Sequence, residues 1–329
     1  LKINMSHGSG GKASAELMKD IFGKYFSNDV LDKMEDAAVL EINGKVAYST
    51  DSFVIKPVIF KGGDIGKLAI CGTVNDLLMM GAEPKYITCG FILEEGLLLS
   101  ELETIVESMS KMAKEAGVKI VAGDTKVIEG NGGIYINTSG IGIIPADRDI
   151  SAANCEVGDK IILSGNLGEH HACILSHRME INNNIKSDCS CLKSIPESLF
   201  NDSIKVKTMR DVTRGGLGTV LNEIAESSKC MIEISETSLP ISDEVRGFCD
   251  ILGLDPLYMA NEGKMIIVVK DEDTEKALAL IKNTPYGKNA AVIAEVKEGK
   301  KEGMVVMRTR LGGSRVVDVL YGEGLPRIC

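Results

Sequence analysis

Between residues 101 and 116 the apolar positions Leu102, Ile105, Val106, Met109, Met112, Ala113 and Ala116 recur at helical spacing and form one stripe. Ser100 and Glu103 read as a capping box at its start, and Gly117 as its C-terminal stop. A second helix is predicted from Asp64, an N-cap by type, through Ile65, Leu68, Ala69 and Gly72 to about Gly81, ahead of Pro84. A third covers about 14–26. Strands are predicted over 45–55, 85–94, 118–122 and 133–144. The second half of the chain reads as strand 160–164, helix 169–178, a polar loop over 180–195 and a helix from Asp211 to about 228. Strand 264–270, helix 273–283 and strands 290–297 and 303–309 follow. Strands and helices mix without strict alternation, so the expected fold is α+β, made of two mixed α/β domains. The domains are drawn at 1–148 and 149–314, with a C-terminal tail over 315–329 that ends on Cys329.

Composition narrows the classes. The chain has 329 residues, 44% of them hydrophobic and 26% charged, enough for a large core and about two domains. With 37 basic and 47 acidic residues the net charge is −10, which speaks against a general nucleic-acid binder. No apolar run reaches 18 residues and the N-terminus has no apolar signal region, so neither a membrane span nor secretion is expected. Nine scattered cysteines, an odd number, point to free thiols in a reducing cytoplasm. Glycine is abundant, 35 residues, as close backbone approach to a ligand requires.

Four aspartates sit where aspartate is a poor choice for the local structure. These are Asp36 beside Ala37, Asp51 in a strand, Asp76 inside a helix and Asp124 after a buried strand. Carboxylates converging at element ends suit Mg²⁺ on a nucleoside triphosphate, which wants a few hard oxygen ligands beside phosphate and water. The competing account of each is an N-cap or turn, and Asp64 and Asp211 are read that way. The glycine arm around Gly10 and Gly11, with Lys12, and the run from Gly62 to Lys67 can cradle phosphate through backbone N–H groups, although neither is a P-loop. Lys126 follows Asp124 by two residues, on one face if the strand continues. Glu262 precedes an apolar strand, as a site residue or a loop end. The His170, His171, His177, Cys173, Cys189 and Cys191 group lacks the paired spacing of structural zinc. Cys329 has no chain after it, which suits a carrier thiol.

Six stretches resemble the HypE family of hydrogenase maturation proteins. They are the arm from His7 to Gly11, the strand around Thr50 and Asp51, the runs Gly62 to Ala69 and Cys71 to Leu77, the run Ala122 to Lys126, and the ending Leu325-Pro326-Arg327-Ile328-Cys329. The resemblance spans the chain, and its terminal Pro-Arg-Ile-Cys is the most specific part. The aspartate motifs are shared with aminoimidazole ribonucleotide synthetase, selenophosphate synthetase and thiamine-monophosphate kinase. The resemblance implies a homodimer whose N-terminal domains close one β-barrel, and an ATP and Mg²⁺ cleft. Asp36, Asp51, Asp76 and Asp124 would be its metal and phosphate ligands, and Lys67 and the Gly10–Gly11 arm would lie at phosphate. It also implies that a carbamoyltransferase, HypF, loads a carbamoyl group on Cys329. ATP then drives its dehydration to a thiocyanate, with Glu262 as base and Lys126 as orienting group, and cyanide passes to iron on a HypC–HypD complex. Two other readings remain: a kinase or synthetase of the same superfamily acting on a free small molecule, and a non-catalytic thiol carrier. The absence of cysteine before Cys71 counts against a selenophosphate synthetase.

Overall fold

A computed structural model describes residues 2–9, 11–33, 37–299 and 303–320. The first layer is a four-stranded sheet in the order β1-β6-β4-β5, with β1 Lys45–Phe53, β4 Glu83–Glu94, β5 Lys119–Ile128 and β6 Ile134–Ile144. Two short strands, β2 Ile59–Phe60 and β3 Gly63–Asp64, pair as a hairpin beside it. One face of the sheet packs on helices α3, Ile65–Met79, and α4, Leu99–Ala116. A helical run over 12–26 joins that layer: α1 Lys12–Leu17, a π-helical turn Met18–Gly23 and α2 Lys24–Phe26.

Asp64 caps α3 by accepting the Lys67 N–H at 2.9 Å, and Gly117 ends α4 at φ 73°. The capping box expected at Ser100 and Glu103 does not form. The helix starts earlier, after Leu98, and the Glu103 carboxylate accepts instead from Lys24 at 2.6 Å and Tyr25 at 3.1 Å. A partner from the N-terminal run outcompetes a local backbone bond.

The strand predicted over 118–122 is longer and bulged. Ile87 of β4 pairs with Ile120, yet Thr88 pairs with Ala122, so Val121 is the extra residue. The bulge shifts the alternation by one. Gly90 and Ile92 then align with Asp124 and Lys126, all four on the face away from the helices, while buried Phe91 and Leu93 align with Thr125 and Val127. That outer face is open, with Val46, Tyr48 and Ile92 about half exposed or more.

The second layer is a seven-stranded sheet in the order β13-β12-β9-β11-β7-β10-β8. Its strands are β7 Lys160–Leu163, β8 Thr208–Asp211, β9 Met231–Ser235, β10 Met265–Val269, β11 Ala291–Lys297, β12 Met304–Arg308 and β13 Ser314–Val317. Its helices are α5 Glu169–Arg178, α6 Ser194–Asn201, α7 Gly216–Ser228, α8 Asp243–Leu252 and α9 Thr274–Lys282. β10 is buried on both faces. Met265, Ile267 and Val269 join the core that continues into the first layer, and Ile266 and Val268 join the core under α7. One apolar core therefore crosses the junction between the layers. β8, β9, α6 and α8 were not anticipated from the sequence. Residues 315–317, assigned there to the tail, belong to the outer strand β13, and the Tyr258 hydroxyl donates to the Asp318 carbonyl at 2.8 Å. No helix among the described residues is long and apolar enough to cross a membrane.

Two substitutions test this packing. A Cβ on Gly66 would stand 2.4 Å from the Ile105 carbonyl oxygen, so Gly66→Ala must push α3 from α4; urea unfolding is expected to show a loss of about 1–3 kcal/mol. Lys207 and Asp159 form a 2.8 Å pair with side chains 8% and 4% exposed, so Lys207→Met strands a buried carboxylate and should cost about 3–5 kcal/mol in the same assay.

Candidate active site

The junction gathers acids from both layers. β1 supplies Asp51, on the strand's helix-facing side, where glycine at 72 lets α3 lie against the strand: a Cβ there would meet the Phe53 ring at 2.8 Å and Asp51 Oδ2 at 3.9 Å. One turn further along α3, Asp76 accepts a 2.6 Å hydrogen bond from the Ser49 hydroxyl. β8 packs on the same helix and brings Arg210 and Asp211. Glu262 arrives on the loop before β10, whose other neighbour in the sheet is β7.

The titration of Asp76, Asp211 and Glu262 reflects burial and mutual charge. Burial raises the Asp76 carboxyl and Asp51 raises it further, while the Ser49 hydrogen bond and Arg210 pull the other way. Burial, then the charge of Asp76, pushes Asp211 up to about 6, against Arg210. Glu262 is held well above the ordinary carboxylate range, by burial first and then by Asp188, Asp211 and Asp51, with Arg214 opposing. Glu262 as a residue is half-buried and not sealed from solvent. An acid of raised affinity for protons, reachable from solvent, has the properties of a general base.

Asp211 is a site residue that the sequence reading took for a cap. It ends β8, and α7 starts only at Gly216, after Gly215, with no side-chain cap. The available signal was the run Thr213-Arg214-Gly215-Gly216 directly after a strand. Both glycines have positive φ, 82° and 64°, and a Cβ on Gly216 would meet the Leu257 carbonyl oxygen at 2.5 Å. Asp188 was missed altogether inside the loop read as polar. Its side chain is 1% exposed and pairs with Lys264 at 3.2 Å, which also meets Glu169 at 3.3 Å.

Asp51, Asp76 and Glu262 are brought together by the fold. Lys67 lies in the first turn of α3, nine residues before Asp76, its ammonium on the Gly62 carbonyl at 3.1 Å. Asp124 and Lys126 are elsewhere. They pair with each other at 2.8 Å, which holds the Asp124 carboxyl below its usual value, on the open face of β5. β5 is the edge opposite β1, three strand spacings or about 14 Å away. Gly11 stands at the start of α1 without a side-chain cap. Gly10, Asp36 and Cys329 lie outside the described residues. No three His, Cys, Asp or Glu side chains among the described residues converge as a metal cage. The donor set nonetheless fits Mg²⁺ carried by a nucleotide, which takes one or two carboxylates and fills the rest with phosphate and water. An acidic cleft also receives a triphosphate only with cations to offset the repulsion. The eight described cysteines are free thiols.

Comparison with known proteins agrees with this architecture. Residues 34–144 match the family of AIR synthase related proteins, N-terminal domain, and 156–307 match its C-terminal domain. The chain is 43% identical to the carbamoyl dehydratase HypE of Rhodobacter capsulatus, over all of this chain and 98% of that one. It is 44% identical to that of Escherichia coli over 99% of each. A crystal structure of the hydrogenase maturation protein HypE in complex with ATP superposes with a TM-score of 0.95, at 46% identity over 99% of both chains. HypE in a HypE–HypF complex superposes at 0.81 with 44% identity, over 92% of this chain and 99% of that one. The chain belongs to the HypE family of AIR synthase related proteins.

Proposed function

We propose that the chain is an ATP-dependent carbamoyl dehydratase that converts a carbamoyl group on Cys329 to a cyano group during maturation of hydrogenase. The observation that carries this reading is the accessible, proton-retaining Glu262 set against Asp51 and Asp76 at the junction, in a chain that matches carbamoyl dehydratases along its whole length. A relative forms a HypE–HypF complex, which supports HypF as the carbamoyl donor; the family resemblance implies an iron complex of HypC and HypD as the acceptor of cyanide. The free thiols and the absence of a membrane-crossing helix among the described residues fit a cytoplasmic setting.

The thiocarboxamide oxygen takes the γ-phosphoryl group of ATP, releasing ADP, and one N–H proton is shed as the C=N bond forms. The remaining N–H proton passes to Glu262 as the C–O bond breaks and phosphate leaves, giving S–C≡N. Phosphoryl transfer is mostly positioning and charge neutralisation. Mg²⁺ bound with the nucleotide supplies that neutralisation, and Asp51 and Asp76 would hold it, with Asp36 and Asp124 as the further carboxylates. Lys67 and the Gly10–Gly11 arm would face phosphate, and Lys126 would orient the amide. Because Lys126 and Asp124 occupy the open sheet face, away from Glu262, a complete site takes them from a second copy. The half-exposed Val46, Tyr48 and Ile92 on that face are the apolar surface two copies would bury as a homodimer.

The direct test is the intact mass of the full chain incubated with HypF, carbamoyl phosphate and Mg-ATP. A gain of about 43 Da on Cys329 that becomes about 25 Da is expected for a covalently held carbamoyl group turned to cyano. No adduct with an active HypF would return the chain to the small-molecule enzymes of the superfamily, and a lasting carbamoyl adduct would make it a carrier. The conversion rate should rise with pH along a limb set above the usual carboxylate range of about 4.3, because Glu262 must be ionised to accept the proton. Glu262→Gln should accept carbamoyl and fail to dehydrate it. Co-expressed Glu262→Gln and Lys126→Ala chains should regain roughly a quarter of wild-type activity if each site draws on two copies, since half the dimers are mixed and one of their two sites is intact. No recovery would place both residues in one chain's site.

A further inference from the structure

The loop over 187–192 lies between the layers and holds both of them. On one side is Asn75, 3% exposed and next to Asp76 on α3. Its side-chain N–H donates to the Ser190 carbonyl at 3.0 Å, and its oxygen accepts the Leu192 N–H at 2.9 Å. The Ser187 N–H donates to the Lys61 carbonyl at 2.8 Å. On the other side is the Glu262 segment. One Asp188 oxygen accepts the Glu262 N–H at 3.2 Å and the other accepts the Gly263 N–H at 3.0 Å. The Ser190 N–H donates to the Glu262 carbonyl at 3.4 Å, so both backbone groups of Glu262 end on this loop. The contact is tight: a Cβ on Gly263 would fall 1.9 Å from the Asp188 carbonyl oxygen. The Lys264 ammonium balances the Asp188 charge.

We propose that Asp188 is a positioning residue, braced from α3 by Asn75, that fixes Glu262 at its distance from Asp51 and Asp76. It acts through the Glu262 backbone and touches no reactant. A carboxylate is needed there because three donors converge on it: two backbone N–H groups and the Lys264 ammonium. An asparagine of the same shape would turn one N–H₂ group toward a donor and release one arm of the Glu262 loop. Displacing a base by about 1 Å can cost on the order of 10²-fold in rate without loss of substrate binding.

This inference rests on the reading of Glu262 as the base, and the experiment separates the two. Full-length Asp188→Asn, loaded with carbamoyl by HypF, is compared with wild type in single-turnover dehydration, in KM for ATP and in thermal midpoint. The expected result is a fall in kcat of roughly 10- to 100-fold with KM for ATP within about twofold and carbamoyl loading intact. A kcat within about twofold of wild type overturns the inference. So does a parallel change in kcat, KM and melting, which is the signature of a purely structural role. Asn75→Ala, which releases the loop from the α3 side, should give the same split in milder form and decides the matter if Asp188→Asn does not fold. If Glu262→Gln dehydrates normally, the base assignment itself has failed. If Glu262→Gln is inactive while Asp188→Asn is not, the positioning role alone has failed.

Discussion

Everything at the junction follows from acids held together against their own repulsion. Asp51 raises the proton affinity of Asp76, Asp76 raises Asp211, and Asp188, Asp211 and Asp51 raise Glu262. Left to itself such a set would swell with water and separate. The fold prevents this with apolar contact that runs unbroken from the first layer into the second, and with neutral hydrogen bonds through Asn75 and Asn261. Asn261 is fully buried, accepts the Gly168 N–H at 2.7 Å and donates to the Val212 carbonyl at 2.9 Å, so the residue before Glu262 is fixed as firmly as Glu262 itself. Arg210, Arg214 and Lys264 offset the charge without cancelling it.

That residual negative charge is useful to an enzyme of this kind. A cleft saturated with cations would bind a triphosphate and keep its products. A cleft that needs the nucleotide's own metal to be neutral is selective for the metal complex. With Glu262 as the proposed base, the same surplus would favour its uptake of a proton, since each neighbouring carboxylate favours its neutral form. His170 shows the opposite outcome of burial in the same region: pushed down to about 4 and hydrogen-bonded to Ser187 at 2.7 Å, it is a neutral structural group.

Local signals in the sequence were enough where one element decided the matter. The Asp64 cap, the apolar stripe and Gly117 stop of α4, and the shared face of Asp124 and Lys126 are all set by residues within a few positions of one another. The expected mixed α/β class is what the two sheets show. Readings failed where distant partners decide. Glu103 looks like a capping residue until Lys24 and Tyr25 reach it from the N-terminal run. Asp211 looks like a cap until β8 is seen to pair with β10. The segment over 180–195 has the composition of a surface loop, yet Cys189, Ser190, Cys191 and Leu192 are buried, because Asn75 and Glu262 lie far away in sequence and satisfy its backbone. The bulge at Val121 leaves no mark in composition and still decides which face carries Lys126.

The junction makes Glu262 a carboxyl that gives up its proton reluctantly. Carbon-13 labelling of the glutamate side chains, with Glu262→Gln to assign the resonance, measures its titration directly in the full chain. The expected midpoint lies well above the usual glutamate value of about 4.3 and falls when Asp188 is replaced by Asn. A midpoint at or below the ordinary glutamate value would contradict it, because Glu262 would then be an ordinary solvated carboxylate and the acidic junction would have no part in the chemistry.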